Sequence, residues 1–242
     1  MRLLTLAALL VVATACGTSE PSPSPPPATP QCSPNQPGFP PPLLGPWHRS
    51  DIYVAEDWTF TEDCTLSARS TALVHGAPWS TTERALRYRF ENGRLVMLEE
   101  RDDGLLTTAT PIHVNGQHLM LDAFTPVGEH SGLVGTWSST VDTSLTNTET
   151  GETKYQTTHI QTLELTSAMT YTWRKRFIRD GVETPSEVNG TYEYNTTYAS
   201  YVLRPAGAPS SSFTFVRFLD DQALRPGAPW DVFSRGSATP AP

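Results

Sequence analysis

His113 and His118 flank the dipeptide Asn115-Gly116 in the run Ile112-His113-Val114-Asn115-Gly116-Gln117-His118-Leu119. Asn-Gly favours the positive φ angles of a two-residue type I′ turn. A turn centred there pairs Val114 with Gln117 and sets His113 opposite His118, with Cα atoms about 4.5 Å apart in a non-hydrogen-bonded pair. Two neutral imidazoles so placed are able to chelate a transition metal, or to repel once protonated. A complete metal site needs further ligands, and no other residues stand at a characteristic spacing. The same pattern also describes the exposed polar face of a hairpin. The carboxylate pairs Glu99-Glu100 and Asp102-Asp103 lie beside another turn, where solvated acids are common. The sequence contains no G-x-S-x-G elbow, no H-E-x-x-H and no phosphate-binding glycine loop. The expectation is a non-enzymatic protein, and no cofactor is implied.

The elements that must position these residues are strands. Leu86, Tyr88 and Phe90 alternate with Arg87, Arg89 and Glu91, and Phe213, Phe215 and Val216 to Leu219 are rich in aromatic and β-branched side chains. Asx-Gly turn signals recur at Asn92-Gly93, Asp103-Gly104, Asn115-Gly116, Asp180-Gly181 and Asn189-Gly190. Around Asn92-Gly93 the pairing can be written out: Glu91 with Arg94, Phe90 with Leu95, Tyr88 with Met97. Charge meets charge on one face and apolar meets apolar on the other. The fold class is therefore all-β, built of antiparallel meanders.

The N-terminus has a different character. Met1-Arg2 precedes a short apolar run from Leu3 to Ala15, the layout of a secretory signal over residues 1–15. The run is too short to cross a bilayer, which takes about 20 residues. It ends Ala13-Thr14-Ala15-Cys16-Gly17, which resembles the lipobox of bacterial lipoproteins. That resemblance implies cleavage before Cys16 and a diacylglycerol on its sulfur. Ala13-Thr14-Ala15 also reads as an ordinary A-x-A secretion site. Residues 16–42 are rich in Pro, Ser and Thr and read as an extended stalk. Residues 236–242 are similar. The chain has three cysteines. With Cys16 lipidated, Cys32 and Cys64 are left as an even pair in an oxidising compartment, and a Cys32–Cys64 disulfide is expected.

The folded part looks duplicated, with units at 43–130 and 131–235. Leu44-Gly45-Pro46-Trp47 recurs as Val134-Gly135-Thr136-Trp137, and Thr61, Thr65, Arg69 and Gly76 recur in order as Thr166, Thr170, Arg174 and Gly181. A Gly-x-Trp on the first strand followed by a meander resembles the lipocalin-like proteins of the calycin group. The resemblance implies that Trp47 and Trp137 plug one end of a barrel, and that a late arginine packs over the tryptophan. Arg217 is the candidate in the second unit, and the first has no equally placed arginine. It also implies an apolar cup for a small hydrophobic ligand. Two small barrels, two open sheets, one composite barrel or a sandwich remain open.

Net charge is −8, from 17 Lys and Arg against 25 Asp and Glu. The one basic run, Arg174-Lys175-Arg176, would be divided between two strand faces by alternation. Nucleic acid is not an expected partner. An acidic chain gains nothing from an anionic membrane surface, so attachment falls to the lipid. The expected role is a tethered lipoprotein of the cell envelope that binds a small hydrophobic ligand, or alternatively one that holds a protein partner of the envelope.

Overall fold

The computed structural model describes residues 39–51, 53–227 and 232–236. The signal segment, Cys16, Cys32 and most of the stalk and tail lie outside the described residues. After a short 3-10 turn, Pro41–Leu43, the chain forms only strands. The first group is β1 (Gly45–Ser50), β2 (Val54–Phe60), β3 (Thr65–Val74), β4 (Ala77–Glu91), β5 (Arg94–Arg101), β6 (Gly104–Val114) and β7 (His118–Leu121). The second is β8 (Thr125–Ser131), β9 (Val134–Thr146), β10 (Thr153–Leu165), β11 (Thr170–Arg179), β12 (Val182–Asn195), β13 (Ser200–Pro205), β14 (Thr214–Leu219) and β15 (Ala223–Pro226), followed by β16 (Phe233–Arg235). The protein is all-β, and every strand pairing is antiparallel.

The strands form one continuous hydrogen-bonded sheet that closes on itself in a ring of 8. β1 to β6 run round the ring in order, β7 pairs with β6, and β16 fits between β7 and β1. The ring around the N-terminal core is thus completed by the last strand of the chain, within the stretch that the sequence assigns to the second unit. β8 to β15 form a second run whose ends meet at a bridge: Phe124 and Leu224 exchange N–H···O bonds of 2.8 and 3.1 Å. The two runs are joined where β6 pairs with β9, from Leu105 with Thr146 to Ala109 with Asp142.

Each run encloses its own core. In the first, Trp47, Phe60, Leu66, Tyr88, Leu95, Leu119 and Phe233 are buried together; in the second, Phe124, Trp137, Leu163, Tyr171, Leu203 and Leu224. Burying one aromatic of this size is worth about 4–6 kcal/mol by apolar area. The polar ends of these rings find matching partners in the two cores. Trp47 Nε1–H donates to the Leu43 carbonyl at 2.7 Å, and Trp137 Nε1–H to the Leu133 carbonyl at 2.9 Å. The Tyr88 hydroxyl donates to the Thr61 carbonyl at 2.6 Å, and the Tyr192 hydroxyl to the Thr166 carbonyl at 2.6 Å.

The turn signals met different fates. Asn92 and Gly93 have φ of 52° and 75°, and Glu91–Arg94, Phe90–Leu95 and Tyr88–Met97 pair as the sequence predicts. Asp180-Gly181 is also a turn, with φ of 49° and 83°. At Asn115-Gly116 the predicted register is corrected: Val114 pairs with Leu119 and His113 with Met120. The Asn115 side chain accepts the Gln117 and His118 N–H groups, which moves the loop on by one residue and matches Ile112 and Val114 with Leu121 and Leu119. At Asp103-Gly104 the loop residues are Asp102 and Asp103, because Arg101 pairs with Gly104. Asn189-Gly190 is no turn but lies inside β12, opposite Thr172 and Tyr171. A Cβ on Gly190 would fall 2.0 Å from the Arg204 carbonyl oxygen and 2.8 Å from Tyr171 Cε1, so the glycine there serves close backbone approach.

Candidate functional site

Trp47 and Trp137 are both fully buried, one at the foot of each core. The cation over Trp47 is Arg235 from β16, with its guanidinium 4.8 Å from the ring centroid and Nη1 donating to the Pro42 carbonyl at 2.7 Å. Over Trp137 lie Phe218, edge-on at 5.5 Å, and His130 at 5.4 Å. Arg217 sits apart from Trp137, with Nη1 3.4 Å from the Ala199 carbonyl oxygen. Sequence reading missed Arg235 because its contact with Trp47 depends on long-range pairing, Trp47 with Arg235. Cys64 is disulfide-bonded, and the other two cysteines lie outside the described residues.

His113 and His118 share a face but are diagonal neighbours rather than opposed. The face also carries Asn115, whose Nδ2 bonds to Asp220 of the β14–β15 turn, and His113 Nε2 lies 3.6 Å from the same carboxylate. His113 Nε2 and His118 Nδ1 are buried without hydrogen-bond partners. Among the described residues no group of three or more potential ligands is placed to hold a metal ion. Glu99 is paired with Arg101 at 2.8 Å and Arg84 at 3.7 Å.

The inner faces of the two runs differ in charge. In the first ring Trp47, Trp58 and Phe60 face inward, and so do Arg49 and Glu56, which pair at 2.5 Å. Above the apolar floor of Trp58, Leu66, Leu86 and Met97 there is a cleft of about 170 Å³, rimmed by Arg84, Glu99 and Arg101. In the second run the inward register of β11 carries Tyr171, Trp173, Lys175 and Phe177. Lys175 Nζ lies 3.6 Å from the Trp173 ring centroid, and burial pulls its pKa down. His159 faces Phe177 across β10 and β11, and its pKa is lowered by burial first and by Lys175 second. The basic run Arg174-Lys175-Arg176 is divided as alternation predicts, with only Lys175 inward.

One end of the molecule gathers the long hairpins. Lys154 Nζ of β10 donates to the Asp103 carbonyl of the β5–β6 turn, and the backbone N–H of Asp180 at the β11–β12 turn donates to Gln156 of β10 at 2.9 Å. The β3–β4 and β11–β12 hairpins run beyond the two cores at this end. Large apolar side chains stand free there: Trp79 is 73% exposed, Val182 71% and Tyr53 69%. No helix among the described residues is long and apolar enough to cross a membrane. The chain matches no protein-family model, no curated protein and no solved structure.

Proposed function

We propose that this protein is a non-enzymatic lipoprotein of the cell envelope, tethered through Cys16, that holds a protein partner with the hairpin end of its two strand runs. One observation carries the partner reading. Trp79 and Val182 are exposed on hairpins that extend past the cores they belong to, and Tyr53 is exposed in the β1–β2 loop, where its carbonyl accepts from the Leu73 N–H of β3. Exposed aromatic side chains of this size are the usual anchors of protein interfaces. Edge-rich hairpins also offer backbone for strand addition. The lipid, the Pro-rich stalk and the lipocalin-like reading of the Trp ends remain part of this proposal, supported by the lipobox-like Ala13-Thr14-Ala15-Cys16 and by the buried Gly-x-Trp tryptophans.

A second reading, a small hydrophobic ligand in the first ring, is favoured by the cleft over Trp58 and Met97. Its volume of about 170 Å³ is below the roughly 300–1,000 Å³ of ordinary small-molecule pockets, and its rim is ionic. The partner reading is therefore the stronger. Site-specific photocrosslinking in the native host tests it, with a photoreactive residue at Trp79 and a control at Glu193 on the outer sheet face. The expected result is one discrete adduct from position 79, abolished by Val182→Asp or Tyr53→Asp and absent from position 193. Equal, diffuse labelling from both positions contradicts the reading. Co-purification of a lipidic passenger instead moves support to the ligand.

A further inference from the structure

On the outer face of β10 to β12 the arginines have carboxylate partners. Arg174 pairs with Glu187 at 2.9 Å and Glu164 at 3.5 Å, and Arg176 pairs with Glu183 through Nε at 2.7 Å and Nη2 at 2.8 Å. Lys175, between them in sequence, faces the other way. Its cross-strand neighbours are Gln161 on β10 and Ser186 on β12. Around these stand His159, Phe177, Trp173 and Val188. The inward register of β9 to β12 contains no Asp or Glu, because every acidic residue of these strands alternates outward. Among the described residues no carboxylate pairs with Lys175. Arg179, further along the same face, is turned to Asp180 at 3.7 Å.

Two polar groups are thus left without partners in one place. The Lys175 ammonium has only the face of Trp173, a contact worth about 0.5–2 kcal/mol. Trp173 Nε1–H is buried with no acceptor. A buried donor left unmet costs free energy, and a half-buried cation without a counter-ion adds to that cost. An anion beside Lys175 would supply the missing counter-charge. The neighbours complete the description of that anion: Gln161 and Ser186 offer hydrogen bonds, and the exposed Phe177 ring offers flat apolar surface. One unpaired cation matches one negative charge. In the first ring the inward Arg49, Arg84 and Arg101 face Glu56 or Glu99, and the Arg235 guanidinium over Trp47 donates to the Pro42 carbonyl.

We propose that the inner face of the second strand run is a binding site for a small organic carboxylate with a planar apolar body, with Lys175 as its counter-ion and the exposed Phe177 ring as its apolar wall. The site lies on the β11–β12 hairpin below the exposed Val182 at its tip, and its test does not depend on the partner reading.

The chain has only two lysines, Lys154 and Lys175, which makes the test direct. Reductive methylation with ¹³C-formaldehyde keeps both charges and labels each side chain for NMR. The probe is naphthalene-2-carboxylate, with naphthalene-2-methanol as the neutral match and inorganic phosphate as the compact anion, titrated into the full mature chain. The expected result is saturable movement of the Lys175 signal with the carboxylate while Lys154 stays still. The neutral alcohol binds at least tenfold more weakly, and phosphate leaves the signal unmoved. Calorimetry on unmodified Lys175→Met, which keeps the aliphatic stem on Trp173, shows at least a tenfold loss of carboxylate affinity. Equal affinity for acid and alcohol, undiminished binding by Lys175→Met, or a Lys175 signal that millimolar carboxylate does not move each overturns the proposal. Tighter binding of phosphate than of the carboxylate overturns the assigned ligand class.

Discussion

Replacing Phe233 with alanine removes the side chain by which the last strand seals the first ring. Phe233 is fully buried, its ring lies 5.0 Å from that of Trp58, and the Arg49 guanidinium sits 4.9 Å above it. A buried Phe→Ala change costs about 3–5 kcal/mol, and loss of the cation–π contact adds about 0.5–1 kcal/mol. Because β16 is short, part of this appears as local opening, and β1 and β7 then lose their shared neighbour. The expectation for Phe233→Ala is a loss of about 3–5 kcal/mol in urea unfolding followed by tryptophan fluorescence. Hydrogen exchange should speed up in β1, β7 and β16 while β10 to β13 keep wild-type protection. A loss below about 1 kcal/mol, or faster exchange in the second run instead, would refute the reasoning that the C-terminal strand completes the N-terminal core.

Tyr88→Phe and Tyr192→Phe each remove one hydroxyl bond to a loop carbonyl and should cost about 1 kcal/mol; because they sit in separate cores, urea midpoints of the double mutant should show additive losses. Burial pushes the Tyr88 phenol up to about 12, so its contribution is complete below pH 10 and disappears as pH rises through about 12, which alkaline unfolding of wild type against Tyr88→Phe will show. His159 has a lowered pKa, so the unfolded chain binds its proton more readily; stability should fall as pH drops below 6.5, and His159→Gln should flatten that slope in thermal melts. Gly190→Ala forces a Cβ against the Arg204 carbonyl and should cost at least about 1–3 kcal/mol, read from the urea midpoint.

The parts of this fold that were legible in the sequence are those decided by neighbours along the chain. Asn92-Gly93 sets its own φ angles and the register follows for several pairs, since a slip would turn Tyr88 and Phe90 outward. Alternation alone separates Lys175 from Arg174 and Arg176. Local signals failed where a distant contact decided the matter. Gly190 is required by the backbone of Arg204 and the ring of Tyr171, not by a turn. His75-Gly76 forms a turn with φ of 51° and 77° although histidine is no Asx residue. At His113 and His118 the gain from pairing Val114 with Leu119 outweighed the Asn-Gly preference. The arginine over Trp47 could not be found from one unit of the apparent repeat, because Arg235 arrives from the far end of the chain. The unpaired charge of Lys175 needed the outward placement of every acid of β9 to β12 before it could be recognised.

The tether is the claim on which the envelope role rests, and the intact mass of the mature protein purified from its host tests it most directly. The account predicts a chain that begins at Cys16 and carries the added mass of a diacylglycerol. A chain that begins at Cys16 with an unmodified sulfur, or that retains residues 1–15, would contradict it.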